Sequence, residues 1–104
     1  MKGGEKMRNL LQETLDCLEQ HCKKESDVLW VGVNEEYSFT WEIFKKLADI
    51  KYDASYGCAM VEMSLIVVGK DWWLERGEYD GSEWWEFKTY PKKPKLIKEK
   101  PKFI

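Results

Sequence analysis

A chain of 104 residues with 43% hydrophobic and 14% aromatic content has the length and composition of one folded domain, not of a disordered segment. No uninterrupted apolar run approaches the ~20 residues of a membrane span, and the net charge is only -2. Three cysteines, an odd number, argue against a disulfide framework, and the first residues lack the apolar stretch of a signal peptide. We therefore expect a cytoplasmic protein with free thiols.

The first third of the chain predicts a helix and two strands. Apolar side chains recur every three or four residues over 6–24, which predicts an amphipathic helix with a stripe of Met7, Leu11, Leu15, Leu18 and Cys22. The β-branched and aromatic run 28–33 is typical of a strand. After a turn, residues 37–39 predict a short strand that returns beside it.

A second helix is predicted over 41–50, with Thr40 as its cap, because a threonine hydroxyl can accept a hydrogen bond from the first helical turn. Its apolar positions share one face: Ile43, Phe44 and Leu47. Residues 51–60 have no regular period and predict a loop. Residues 64–68 end in a continuous apolar run, which predicts a central strand.

Asp80-Gly81 lies between two aromatic-rich segments, 71–79 and 83–90, and is a strong signal for a β-hairpin with a two-residue turn. In that register Arg76 faces Trp85, and strand alternation divides the other side chains between two faces. One face has four core candidates: Trp72, Leu74, Trp85 and Phe87. The other has Trp73, Tyr79, Trp84 and the opposed carboxylates of Glu75 and Glu86. A slip of one residue would exchange the two faces.

The last segment is basic and the rest of the chain is acidic. Residues 92–104 contain one glutamate and six lysines: Lys92, Lys93, Lys95, Lys98, Lys100 and Lys102. Removing them from the totals of 17 and 19 leaves 11 basic and 18 acidic residues in 1–91, a net charge of -7. Prolines exclude this segment from a sheet interior, so we expect a tail or an extended arm at 92–104 after a single domain at 1–91.

Together these elements predict an α+β fold in the order α-β-β-α-β-β-β. The sheet is expected to be mainly antiparallel, with about five strands and with both helices packed on one of its faces.

The aromatic and acidic side of the hairpin is the strongest functional candidate. Core packing accounts for the aromatic residues on one side, but two tryptophans and a tyrosine remain on the other, and aromatic residues are enriched at binding hot spots. The alternative, in which the 51–60 loop or the tail covers this side, stays open. The predicted partner-binding residues are Trp73, Glu75, Glu78, Tyr79, Trp84 and Glu86.

Catalytic and metal sites find little support in the sequence. Cys17 and His21 lie four apart on a predicted helix and could share a metal, but the paired spacing of structural zinc sites is missing. Any Ser/His/Asp triad would have to use the single histidine, His21, on a helix whose other face the core needs, and the likeliest base for Cys58 is the same distant residue. Glu75 and Glu86 could suggest a glycosidase pair, yet opposed acids on a hairpin are more often a solvated face. We predict no enzyme activity, no metal and no cofactor.

The charges favour a protein partner over nucleic acid. The lysine-rich tail could neutralise phosphates, but the acidic body would repel the same backbone. Five carboxylates within 75–86 could instead imitate the charge of DNA and occupy a basic groove of a nucleic-acid enzyme. They belong to Glu75, Glu78, Asp80, Glu83 and Glu86.

Two segments carry a resemblance, DWWLERGEYDGSEWWEFKTYP (71–91) and, more weakly, SDVLWVGVNEEYSFTWEIF (26–44). They resemble small uncharacterised proteins of bacteriophages and prophages and cover about two-fifths of the chain. As a class, phage proteins of this size and acidity resemble inhibitors of host defence, including anti-CRISPR proteins. The resemblance implies an inhibitor in the cytoplasm of the host cell, with a defence effector such as a nuclease as its protein partner.

The leading hypothesis is therefore a non-enzymatic inhibitor or adaptor that docks an acidic-aromatic surface onto a protein. A second hypothesis is an oligomeric sponge for a nucleotide immune signal, with the base between Trp and Tyr and the phosphate on Arg76 or the tail lysines. A nucleic-acid-associated or structural phage accessory protein is a third. A homo-oligomer is compatible with each of them, and no membrane association is expected.

Overall fold

A computed structural model describes residues 7–55, 57–96, 98–100 and 102–103. It confirms the α+β class, with two helices, an antiparallel sheet of five strands and a separate two-stranded sheet. The elements in chain order are β1 (Met7–Asn9), α1 (Leu10–Gln20), β2 (Trp30–Val33), β3 (Tyr37–Phe39), α2 (Trp41–Leu47), β4 (Lys51–Asp53), β5 (Leu65–Val68), β6 (Trp72–Tyr79) and β7 (Ser82–Thr89). A single 3-10 turn, Glu25–Asp27, precedes β2.

The larger sheet has the strand order β3-β2-β5-β6-β7. The predicted central position of the 65–68 strand is confirmed, because β5 pairs with β2 on one side and with β6 on the other. Burial alternates along β5: Leu65 and Val67 are buried, whereas Ile66 and Val68 are half-buried. The sheet therefore has one core side and one part-exposed side, as the period of two in a strand requires.

The predicted element order was wrong at two points, because it lacked β1 and β4. These two strands pair antiparallel, with Arg8 opposite Tyr52. The predicted helix over 6–24 begins only at Leu10, since the Asn9 side chain accepts a hydrogen bond from the Gln12 N–H (2.9 Å) and so caps the helix there. Residue 6 of that prediction lies outside the described residues. Helix α1 ends at Gln20, and the backbone soon turns left-handed at 22, where φ is 59°.

Helix α2 has the predicted cap, because the Thr40 hydroxyl accepts a hydrogen bond from the Ile43 N–H (3.2 Å). Of its predicted apolar face, only Phe44 is buried. The buried side chains are Trp41, Phe44 and Ala48, whereas Ile43 and Leu47 are 47% and 59% exposed. The Trp41 and Phe44 rings pack at 5.4 Å, and burying that aromatic pair removes more apolar surface from water than burying two aliphatic residues.

The core lies on one side of the five-stranded sheet. A row of fully buried side chains crosses its strands, with Val31 opposite Val67 and Val67 opposite Leu74. The Trp85 indole N–H donates to the Thr14 hydroxyl of α1 at 2.8 Å. Both helices contribute to one buried cluster with the sheet: Leu10, Cys17, Leu18, Val31, Trp41, Phe44, Ala48, Tyr52, Ala54, Leu65, Val67, Trp72, Leu74 and Trp85.

The described residues of 92–104 belong to no helix or strand. Two of their apolar side chains, Leu96 and Phe103, are 87% and 88% exposed. The division into a domain at 1–91 and a tail at 92–104 stays a prediction.

Candidate functional site: the outer face of the sheet

The hairpin between β6 and β7 has the register that the sequence predicts, with Tyr79 opposite Ser82 and Arg76 opposite Trp85. The two turn residues, Asp80 and Gly81, have φ values of 50° and 83°. Two consecutive positive φ angles define the tight turn whose twist matches a hairpin, and Asp-Gly tolerates them at low cost. The local turn chemistry thus determines which hairpin side chains face the core.

The side of the sheet opposite the core carries the candidate site. Strand register places Trp30, Val68 and Trp73 in one row across three strands. We call this side the outer face. Its side chains are half-buried, except for that of Tyr90, which is exposed beyond the end of β7. The outer face consists of Trp30, Ile66, Val68, Trp73, Glu75, Trp84, Glu86, Lys88 and Tyr90.

Two matched tryptophan–glutamate pairs lie on the outer face. The Trp73 indole N–H donates to Glu75 Oε2 at 2.9 Å, and the Trp84 indole N–H donates to Glu86 Oε2 at 3.1 Å. Each pair is two residues apart on one strand, so its members share a side of the sheet. Because each indole N–H is already bonded, the rings can offer apolar surface to a partner without leaving a polar group unpaired.

The opposed carboxylates of Glu75 and Glu86 are brought together as predicted, and a lysine lies beside them. Lys88 Nζ is 3.8 Å from Glu75 Oε1 and 3.5 Å from Glu86 Oε1. These groups are about 40% exposed, so solvent screens their attraction. With two carboxylates and one ammonium group, the centre of the outer face therefore has one net negative charge, and indole rings lie around it.

Gly77 determines how Trp84 and Glu86 lie on the sheet. A Cβ atom on Gly77 would lie 2.6 Å from Glu86 Oε2 and 2.7 Å from Trp84 Nε1, so only glycine leaves room for both groups. The sequence alone does not show this requirement, because it arises from a cross-strand neighbour.

Gly77→Ala is expected to displace the Trp84 indole and to lower the free energy of unfolding by about 1–3 kcal/mol, because the rigid indole ring must move as well as the Glu86 carboxylate. The readout is the indole N–H resonance of Trp84 in an NMR spectrum. Tyr79→Ala, two residues along the same strand, is the control and should leave that resonance in place. An unchanged Trp84 resonance in Gly77→Ala would contradict the packing described here.

A groove of about 430 Å³ runs along the outer face beside Trp73. Trp30, Val68 and Tyr90 are among its lining residues. The rings of Trp73 and Tyr90 lie 5.1 Å apart at an interplanar angle of 56°. The groove is open and mainly apolar, which suits an inserted apolar side chain.

Five of the six predicted partner-binding residues point to the outer side of the sheet, but Glu78 does not. Glu78 lies opposite Glu83 on the core-facing alternation of the hairpin and is exposed only because it is near the turn. Grouping it with Trp73 ignored the alternation of strand side chains. Tyr79, 76% exposed next to the turn, belongs to the outer side.

A buried charge network on the core side was missed by the sequence analysis. Arg76 Nη2 lies 2.9 Å from Glu83 Oε1 and also donates to the Tyr52 hydroxyl at 3.0 Å, while Nη1 lies 3.3 Å from Glu13 Oε2. The Arg76 guanidinium lies over the ring of Trp85, 4.7 Å from its centroid. The nearest available signal was the register itself, which placed Arg76 opposite Trp85 on the core side of the hairpin.

This network corrects two expectations. Glu83 is 1% exposed and accepts the backbone N–H groups of Met60 (2.6 Å) and Val61 (3.1 Å), so it does not belong to a surface acidic cluster. The Arg76 side chain is fully buried, so the nucleotide-sponge hypothesis loses the arginine it assigned to phosphate.

Burial and a hydrogen bond donated to Glu13 raise the pKa of Tyr52 to about 12.

The cysteine and histidine positions are separate from the outer face. His21 stacks on Phe87 at 4.2 Å, and its Nδ1 lies 4.0 Å from Cys17 Sγ. Burial raises the pKa of the Cys17 thiol, and the nearby Glu13 charge acts in the same direction, which disfavours the reactive thiolate. Among the described residues, no group of three or more potential ligand side chains is placed to hold a metal ion.

Neither helix in the described part of the chain is long and apolar enough to cross a membrane. Comparisons of the chain with protein-family models, curated proteins and solved structures found no match.

Proposed function

We propose that this protein is a non-enzymatic binding protein that docks its outer face onto a protein partner. The observation that supports the proposal is the part-exposed outer face, where Trp30, Trp73 and Trp84 occupy positions that are usually polar in a sheet with one solvated side. Contiguous apolar surface of this kind marks interaction sites in soluble proteins. Tryptophan and tyrosine are also the residues most enriched among binding hot spots.

The charge distribution supports a partner with a basic surface. Glu75 and Glu86 lie between the indoles, and Glu78 and Asp80 are exposed near the turn of the same hairpin. In docking, such carboxylates would steer the approach of a basic surface and disfavour acidic partners. Glu78 and Asp80 lie at the rim of this surface, and rim charges affect association rate and salt dependence more than final affinity.

The resemblance of residues 71–91 and 26–44 to phage proteins supports a more specific form of the proposal. The partner would be a host defence effector whose basic groove normally holds nucleic acid, and the protein would act as an anti-CRISPR-like inhibitor in the host cytoplasm. An acidic surface that carries aromatic anchors fits such a groove by charge and by apolar contact.

The test is affinity capture of a partner from a bacterial lysate with the full chain and with Trp73→Ala and Trp84→Ala. Each substitution is expected to weaken binding of the captured partner about 30-fold or more, because truncating a hot-spot tryptophan costs at least about 2 kcal/mol. Leu47→Ala, which truncates an exposed apolar side chain on α2, is the matched control and should bind as the wild type does.

Salt dependence and charge reversal complete this test. Capture should weaken at high salt and in Glu75→Lys, because both changes remove the attraction of the carboxylates for a basic surface. The proposal fails if the tryptophan variants bind the partner as tightly as the wild type. It also fails if Leu47→Ala loses binding to the same extent.

A further inference from the structure

Strand β7 forms one edge of the five-stranded sheet, and half of its backbone groups point away from β6. In a hairpin closed by a two-residue turn, the residues next to the turn form a hydrogen-bonded pair, here Tyr79 with Ser82, and hydrogen-bonded pairs then alternate along the strands. The backbone groups of even-numbered β7 residues therefore bond to β6. Those of Glu83, Trp85, Phe87 and Thr89 point to the edge.

Among the residues that the structure describes, contacts with this edge occur at one end. The Glu83 N–H donates to the Ala54 carbonyl at 3.1 Å, and the Glu83 carbonyl accepts from Arg8 Nη1 at 3.4 Å. For the outward backbone groups of Trp85, Phe87 and Thr89, the described part of the chain provides no hydrogen-bond partner. Natural sheets often protect an edge with short strands, prolines, bulges or charged side chains, above all lysine. Residues 85–89 contain no proline, and their charged side chains, Glu86 and Lys88, have opposite signs.

We propose that a second copy of this chain pairs with this edge, β7 against β7, antiparallel and with the two-fold axis at Phe87. In this register Glu86 lies opposite Lys88 of the other copy on the outer side, twice per dimer. The neighbouring registers place the axis at Glu86 or at Lys88, which brings two identical charges face to face. Cross-strand pairs of opposite charge stabilise a sheet and like charges destabilise it, so the charges select the Phe87 register.

The ends of β7 fit the same register. Tyr90 of the other copy would lie opposite Trp84, which adds an aromatic cross-strand pair on the outer side. Pro91 would lie opposite Glu83, where Ala54 already occupies the edge. Because proline has no N–H to donate, the new ladder would end where no free backbone group remains.

The dimer would join two five-stranded sheets into one. Since an antiparallel edge contact places the two-fold axis perpendicular to the sheet, both outer faces would lie on the same side, as one surface of twice the area. This inference depends on the β7 edge and not on the proposed partner, so either can fail alone.

The test is the molar mass of the full chain in solution, measured by sedimentation equilibrium. We expect a dimer for the wild type. Glu86→Lys and Lys88→Glu should each raise the dimer dissociation constant at least about tenfold, since each creates two like-charge contacts across the axis. Mixing the two variants should restore dimers, because Glu86→Lys on one copy and Lys88→Glu on the other restore opposite charges at both contacts.

Two further variants separate the edge from general effects. Lys70→Glu makes the same charge change as Lys88→Glu, but in the turn between β5 and β6 and away from the β7 edge. This variant should remain dimeric. Thr89→Pro removes an outward N–H without touching the ladder to β6, and it should shift the equilibrium to monomers. A monomeric wild type, dimeric Glu86→Lys and Lys88→Glu variants, or a mixture that stays monomeric would each overturn the proposal.

Discussion

Glu83→Ala is expected to lower the free energy of unfolding by about 3–5 kcal/mol, the usual cost of removing one partner from a buried ion pair. The side chains of Glu83 and Arg76 are 1% and 0% exposed, and their charges lie 2.9 Å apart. Alanine would also leave the N–H groups of Met60 and Val61 without their carboxylate acceptor. Chemical denaturation of the full chain, followed by tryptophan fluorescence, measures the loss.

Glu78→Ala is the matched control, because Glu78 lies directly opposite Glu83 in the hairpin but is exposed. It should change the free energy of unfolding by less than about 0.5 kcal/mol. The loss in free energy of unfolding for Glu83→Gln should lie between those of Glu83→Ala and Glu78→Ala. The glutamine amide oxygen can still accept hydrogen bonds, but it does not neutralise the positive charge of Arg76. If Glu83→Ala and Glu78→Ala unfold at the same denaturant concentration, the network contributes no stability.

Alkaline pH is expected to destabilise the protein through Tyr52. Its pKa is raised from 10.0 to about 12, first by burial and then by the hydrogen bond to Glu13, while Arg76 acts in the opposite direction. The folded state therefore holds the phenol proton more tightly than the unfolded state does. This stability is present below pH 10 and is lost as the pH rises towards 12, by about 3 kcal/mol at 1.4 kcal/mol per pKa unit.

Tyr52→Phe separates this effect from other alkaline titrations. The variant should be less stable than the wild type near neutral pH, because Glu13 and Arg76 each lose a hydrogen-bond partner. Between pH 10 and pH 12 the difference between the two proteins should narrow, because only the wild type carries the buried phenol. If the difference in free energy of unfolding between the two proteins stays constant from pH 10 to pH 12, Tyr52 does not cause the pH dependence.

The elements that were predicted correctly depend on neighbours close in the chain. Asp80 and Gly81 tolerate the two left-handed φ angles of the hairpin turn, and this alone determines the register for eight residues on each side. The Thr40 cap depends on a residue three positions away. Within the candidate site, the sequence therefore predicted on which side of the sheet four side chains lie, without knowledge of the rest of the fold. They are those of Trp73, Glu75, Trp84 and Glu86.

The errors arose where the answer depends on distant residues. Helix α2 contains two apolar stripes, and which one is buried depends on contacts outside the helix, such as that of the Trp41 indole with Glu25 (2.8 Å). The N-terminal stripe suggested a longer helix, but Met7 pairs with Asp53 in a strand instead. Periodicity identifies a face but does not identify what covers it.

The amino-acid sequence by itself determined the α+β class, the central apolar strand, the tight hairpin and the division of its indoles between two sides. Only the tertiary structure decided that Glu83 is buried against Arg76, that Gly77 makes room for Trp84, and that no described residue pairs with the outward backbone groups of 85–89. The physical reason is range: turn geometry and strand alternation act within a few residues, whereas the free energy of a buried charge depends on groups that the fold brings together.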